Sequence, residues 1–71
     1  MTHLAYNAAT GEILTASYGS NQFKRWVARH TANDLAWGKA NGVATPHKWM
    51  FAHGGSYDEC VAKLTIRHPW N

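Results

Sequence analysis

The residues best suited to chemistry in this sequence are a histidine and an aspartate four positions apart, His30 and Asp34. Residues with this spacing are neighbours on a helix, so Asp34 can orient the His30 imidazole as in a general-base dyad. Both also fall beside an apolar helix face, where polar groups need hydrogen-bond partners. Because no Ser or Cys stands at a predictable place to act as nucleophile, we expect a structural hydrogen bond. An enzyme is the least favoured class of function.

Four other side chains offer atoms that bind zinc, which prefers thiolate and imidazole ligands. They are separated by six, seven and eight residues, a spacing that matches no tight two-ligand knuckle. Two of them also fit the apolar face of a predicted helix. The sequence therefore predicts no metal and no cofactor, and leaves these four unassigned: His47, His53, Cys60 and His68.

A basic helix face is the next candidate site, formed by Arg25, Arg29 and Lys39, with Lys24 on its flank. Such side chains can contact phosphates and release counterions. The chain has seven Lys or Arg residues against four Asp or Glu residues, which gives a net charge of +3. No helix-turn-helix, zinc-finger or RNA-binding sheet signature accompanies the face, and every solvated helix needs charges. The pattern predicts weak nucleic-acid binding at most.

Aromatic side chains of two predicted strands form a third candidate site, Tyr6, Trp49 and Phe51. Strand alternation puts Trp49 and Phe51 on one face. If both helices cover one side of the sheet, the other side exposes aromatic rings, which can stack on bases or dominate a protein interface. In the alternative interpretation the large residues point into the core, and the sequence does not decide between the two.

The length and composition predict one small domain over residues 1–71. A domain of this size buries only roughly 60% of its unfolded surface, so its aromatic residues are expected to carry much of the core. The single Cys60 cannot form an intrachain disulfide and favours a reducing, cytoplasmic location. The sequence shows no signal peptide and no apolar run long enough for a membrane span.

Local signals in the first half of the chain predict a hairpin followed by a long helix. The hairpin spans residues 3–18, with Gly11 in the left-handed conformation of its turn. The helix spans residues 20–41, with Ser20 as its N-cap and Gly42 as its stop.

The long helix is the predicted core anchor, through an apolar stripe made of Phe23, Trp26, Val27 and Trp37. Gly38 lies within the same pattern and disfavours the helical conformation by about 1 kcal/mol relative to Ala. We therefore expect the helix to end or kink at this glycine.

The second half of the chain predicts a strand over residues 48–53 and a helix over residues 56–68. Ser56 and Glu59 have the spacing of a capping box at the start of that helix. The complete order is ββαβα, which predicts a small α+β domain with a three-stranded, mainly antiparallel sheet packed against two helices. The simplest arrangement places both helices on one face, with the third strand at either edge.

The many aromatic residues, without a recognisable catalytic constellation, favour a non-catalytic binding module that acts through a protein–protein interface. An inhibitor or an adaptor would work in this way, and chains of this size are common among proteins of phages and mobile elements. Nucleic-acid binding through the basic face is the alternative, and a homodimer is compatible with every one of these functions.

Overall fold

The computed structural model describes residues 1–17 and 19–64. These residues form an α+β domain in the order ββαβα, so the predicted fold class is confirmed. The end of the second predicted helix, with His68, lies outside the described residues, as does Trp70. The elements are β1 (Thr2–Asn7), β2 (Ile13–Ala16), α1 (Ser20–Asn41), β3 (Trp49–Gly54) and α2 (Tyr57–Leu64).

The strands form an antiparallel sheet in the order β2-β1-β3, so the first strand is central. β1 and β2 form the predicted hairpin, and Gly11 in its turn has a φ of 84°, the left-handed conformation expected of it. β3 arrives from far along the chain and pairs with the other edge of β1, with Ala5 opposite Phe51. Leu4 and Ala5 point to opposite faces of β1, and both are fully buried.

Helix α1 covers the face of the sheet to which Ala5 points. Phe23 and Val27 of α1 pack on Ala5, with Leu14 and Trp49 at the edge of this cluster. The Phe23 ring also meets sheet side chains of the same face, since its centroid lies 6.3 Å from that of Phe51. This apolar cluster fixes α1 across the sheet.

Helix α2 covers the opposite face, so the prediction that both helices share one face is wrong. Gly54 pairs with Thr2 and therefore belongs to the face of Leu4. A Cβ added to Gly54 would lie 3.0 Å from the side chain of Glu59 in α2. The physical reason is the central strand, which has a fully buried apolar residue on each face, Leu4 on one and Ala5 on the other, and needs a cover on each.

The N-terminus and interior of α1 differ from the sequence prediction. The N-cap is Gly19, which makes no side-chain hydrogen bond, and Ser20 is the first helical residue. The helix continues through Gly38 and ends at the predicted Gly42, which is left-handed with a φ of 66°. Gly38 is needed for another reason, because a Cβ there would lie 2.5 Å from the carbonyl oxygen of Val43. The loop after α1 therefore folds back against the helix at this glycine.

Two members of the predicted apolar stripe of α1 are not core residues. Phe23 and Val27 are 2% exposed, whereas Trp26 is 37% exposed and Trp37 is 57% exposed. The helix has 22 residues and a length of about 33 Å, while a six-residue strand spans only about 20 Å. The sheet is too short to cover the whole helix, and Trp26, one residue before buried Val27, is rotated about 100° away from it around the helix axis, so the prediction that Trp26 and Trp37 are buried is wrong.

Helix α2 begins with the predicted capping box, with one difference in its geometry. The Ser56 hydroxyl accepts a hydrogen bond from the backbone N–H of Glu59 at 3.2 Å. The Glu59 carboxylate accepts from the N–H of Gly55 at 2.9 Å, one residue before the usual partner. Cys60 is buried in the next turn. None of the helices in the described part of the chain is long and apolar enough to cross a membrane.

Candidate functional site

The His30–Asp34 pair belongs to a larger group, here called the His–carboxylate cluster, which consists of Glu12, His30, Asp34 and His47. Nε2 of His30 lies 3.1 Å and 3.3 Å from the two carboxylate oxygens of Glu12. The same nitrogen lies 3.3 Å from Oδ2 of Asp34. Nε2 of His47 lies 3.2 Å from that same Oδ2. One imidazole nitrogen thus faces two carboxylates, and one carboxylate oxygen faces two imidazoles.

Asn7 holds together the chain segments that deliver Glu12 and His47 to the cluster. Asn7 is 1% exposed, and its backbone N–H donates to the carbonyl oxygen of Glu12 at 2.8 Å. Its side-chain Nδ2 donates to the carbonyl oxygen of Pro46, and its Oδ1 accepts from the N–H of Lys48. Both neighbours of His47 are therefore tied to the hairpin turn, while α1 supplies the other two members of the cluster.

Trp49 forms the wall of the cluster on the sheet side. Its ring centroid lies 5.8 Å from that of His47 and 6.3 Å from that of His30. Its indole N–H donates to the Thr31 hydroxyl at 2.8 Å, and this hydroxyl donates to the Val27 carbonyl oxygen at 2.8 Å. The indole is thus fixed by a chain of hydrogen bonds to α1. The His47 side chain, packed against it, is only 9% exposed.

Sequence reasoning identified half of this cluster and missed how it is completed. Glu12 and His47 are 18 and 13 residues away from their partners in α1, so no local spacing links them. Two weak signals exist in the sequence. Asn7 begins a turn, a position where its side chain is known to bond the backbone. Glu12 is the only acidic residue before Asp34.

The side chains considered as zinc ligands do not come together in the described residues. His47 belongs to the His–carboxylate cluster, whereas His53 lies near His3, with ring centroids 6.0 Å apart. Cys60 lies on the buried side of α2, where its thiol donates to the Thr2 carbonyl oxygen at 3.4 Å. His47, His53 and Cys60 therefore lie in three separate environments.

The aromatic candidates occupy both faces of the sheet. Trp49 and Phe51 point toward α1, while Tyr6 pairs with Met50 on the face of α2. The three residues therefore do not form one aromatic surface, because alternation along two paired strands separates them. Phe51 is 43% exposed, and the Lys24 ammonium lies 5.8 Å from its ring centroid, within reach of a cation–π interaction.

The basic candidates of α1 lie on the side away from the sheet. Arg25, Arg29 and Lys39 are exposed, and Lys24 lies apart from them, over Phe51. Within residues 1–17 and 19–64, no ion pair joins Arg25 or Arg29 to an acidic side chain. The only acidic residue of α1 is Asp34, which faces the cluster. The positive charge of this side is uncompensated.

The outer surface of α1, defined as Arg25, Trp26, Arg29 and Trp37, combines this charge with exposed indole rings. At 3.6 residues per turn, the four side chains fall within a sector of about 120°. Arg25, Trp26 and Arg29 line a surface depression together with Gln22. Exposed alanines lie beside them at positions 28, 32 and 36, which leaves the helix backbone accessible to a close partner.

Comparison of the chain with protein-family models, with curated protein sequences and with solved structures finds no match in any of the three. Two regions of the molecule carry chemistry that suggests a function, the His–carboxylate cluster and the outer surface of α1.

Proposed function

We propose that this chain is a non-catalytic binding module that contacts a protein partner through the outer surface of α1. The observation that carries the proposal is the exposure of two indole rings, Trp26 at 37% and Trp37 at 57%, on the side of α1 that also carries Arg25 and Arg29. Trp and Arg are the residue types that most often dominate the energy of protein interfaces.

The size of the surface suits a helix-centred interface. Trp26 and Trp37 are separated by three helical turns, about 16 Å along the axis. The exposed alanines lie beside Arg25 and Arg29, where their small side chains let a partner approach the helix backbone. A domain with so small a core loses stability when large apolar residues stay in water, and a partner that covers them recovers this free energy.

The partner should carry an acidic surface around an apolar centre. Arg25 and Arg29 have no acidic neighbour on α1, and charge complementarity at an interface raises the association rate and selects the partner. The C-terminal half of the helix offers a single cation, Lys39, and exposes the Trp37 ring at 57% instead. The combination of few cations with exposed apolar rings favours a protein partner over a phosphate backbone.

An inhibitor or adaptor would act by covering the partner's own surface. The free thiol of Cys60 is consistent with an intracellular location.

Site-specific photo-crosslinking tests this proposal in extract of the organism that encodes the chain. A photoreactive amino acid replaces Trp37 in one variant and Leu35 in a matched control, because Leu35 is similarly exposed but lies on the opposite flank of α1. We expect one protein to be crosslinked through position 37 and not through position 35. The double substitution Arg25→Glu and Arg29→Glu should abolish this crosslink.

The crosslinked protein is then purified and its binding is measured directly. We expect Trp37→Ala to weaken binding by about tenfold or more, and Leu35→Ala by less than about twofold. Equal crosslinking through both positions would contradict the proposal. A crosslink to DNA or RNA, with an affinity that falls steeply as the salt concentration is raised, would identify a nucleic acid as the partner in place of a protein. A crosslink to a second copy of the chain would identify the outer surface of α1 as a homodimer interface.

A further inference from the structure

We propose that Glu12, His30 and Asp34 form a binding site for a divalent transition-metal ion, with zinc as the best-suited ion. The proposal is independent of the interface on the outer surface of α1. It also differs from the sequence expectation of no metal, which considered another set of residues. Glu12, His30 and Asp34 each offer one ligand atom, and these three atoms lie within 4.8 Å of one another.

Two of the three distances between the ligand atoms are close to those of a tetrahedral coordination sphere. Zinc binds imidazole nitrogen and carboxylate oxygen at about 2.0–2.2 Å, so two ligand atoms of a tetrahedral site lie about 3.3–3.5 Å apart. Nε2 of His30 lies 3.1 Å from Oε2 of Glu12 and 3.3 Å from Oδ2 of Asp34. The distances from His30 to both carboxylates are thus already close to those of a zinc site, and the Glu12 and Asp34 oxygens lie within 4.8 Å of each other.

The convergence of two carboxylates on one nitrogen is the second observation. A neutral imidazole carries at most one proton on Nε2, and this proton cannot make two well-formed hydrogen bonds at once. A cation at this point compensates both carboxylates together. His30 can serve as its ligand because its side chain is 28% exposed, which allows a proton on Nδ1 to be hydrated while Nε2 offers its lone pair.

His47 is a positioning residue of this site. Its Nδ1 is buried and has no hydrogen-bond partner among the described residues, so the proton is better placed on Nε2. That Nε2–H donates to Oδ2 of Asp34 at 3.2 Å. Hydrogen bonds of this kind orient the carboxylates that bind metals. Asn7 and Trp49 hold His47 in place, so the site is formed by the fold before any ion arrives.

The donor set decides which ions fit. One imidazole and two carboxylates suit zinc and other first-row divalent ions, whereas calcium and magnesium prefer an all-oxygen environment. Three protein ligands leave a fourth position for water or for a group from a partner. Glu12 and Asp34 are each 38% exposed, so the ion can reach the site from solvent.

Isothermal titration of the purified full chain with zinc chloride tests the proposal. We expect one ion per chain for the unmodified protein. Glu12→Gln and Asp34→Asn keep the size of each side chain and remove one ligand charge, and each should lower the affinity by about 10-fold or more. His47→Gln should lower it by about 10- to 100-fold. The matched controls, Asp58→Asn and His53→Gln, change exposed groups outside the site and should leave the affinity unchanged.

Cobalt(II) provides a second readout that does not depend on the folding of any variant. The unmodified protein should show the visible bands of a four-coordinate site with nitrogen and oxygen ligands. An intense thiolate-to-cobalt charge-transfer band would place the metal at Cys60 and overturn the proposal. Unchanged zinc affinity in folded Glu12→Gln and Asp34→Asn variants would also overturn it. The same conclusion would follow if the unmodified protein bound no more zinc than its His30→Gln variant.

Discussion

The His–carboxylate cluster and the outer surface of α1 both use side chains of the same helix. They differ in whether these side chains have partners within the chain. In the cluster, every polar residue meets a partner from another segment, and His47 is only 9% exposed. On the outer surface, Trp37 is 57% exposed and the arginines have no acidic partner within the described residues. The cluster side chains contact one another, whereas those of the outer surface remain largely exposed to solvent.

This difference separates residues that maintain the fold from residues that are available for function. A half-buried charged group destabilises a protein unless it is paired, and each carboxylate of the cluster faces an imidazole from another segment. An indole ring in water forgoes part of the stabilisation that burial would bring, about 1.5–3 kcal/mol for a large apolar side chain. Trp37 is 57% exposed and Trp26, whose ring centroid lies 5.9 Å from that of Phe23, is 37% exposed, so both rings forgo part of this stabilisation.

The most severe way to break the cluster is to remove Asn7. Asn7→Ala deletes three side-chain hydrogen bonds and leaves the Ala9 and Lys48 N–H groups and the Pro46 carbonyl oxygen without their partner. We expect the free energy of unfolding to fall by about 2–4 kcal/mol, measured by urea denaturation. Asn33→Ala, at an exposed position of α1, is the control and should change it by less than about 0.5 kcal/mol.

A loss below about 1 kcal/mol for Asn7→Ala would show that the hairpin turn and the loop around His47 are held by other interactions. The zinc titration of the same variant sharpens the result. If Asn7 positions His47, a folded Asn7→Ala protein should also bind the ion more weakly.

A smaller effect is expected from Trp49→Phe, which keeps an aromatic wall beside the cluster. The substitution removes the 2.8 Å hydrogen bond to the Thr31 hydroxyl and part of the ring surface against the two histidines. We expect a loss of about 1–2 kcal/mol in urea denaturation. Trp37→Phe makes the same chemical change on the outer surface of α1 and should leave the free energy of unfolding unchanged. If both substitutions lowered this free energy equally, the two regions would not differ in their contribution to stability.

The smallest effect is expected from Trp37→Ala. Because the side chain is 57% exposed, its removal should change the free energy of unfolding of the isolated protein by about 0.5 kcal/mol or less. Circular dichroism during thermal and urea denaturation measures this directly. A loss above about 1.5 kcal/mol would mean that the indole belongs to the core, and the proposed interface would lose its central residue.

The features that the sequence predicted correctly depend on short-range chemistry. Gly11 and Gly42 take left-handed conformations because few other residues tolerate them, and Ser56 with Glu59 caps α2 because the spacing itself places their groups. The order of the elements follows from the same kind of signal. The His30–Asp34 contact was also predictable, since it depends only on the helix repeat.

What the sequence determined by itself, therefore, is the set of elements and the contacts within each one. Only the tertiary structure decided that the helices lie on opposite faces, that Trp26 and Trp37 remain exposed, and that Glu12 and His47 complete the pair in α1. These outcomes depend on the area of the sheet and on how distant segments meet. Periodicity along one segment carries information about neither, because it describes a single element and not what covers it.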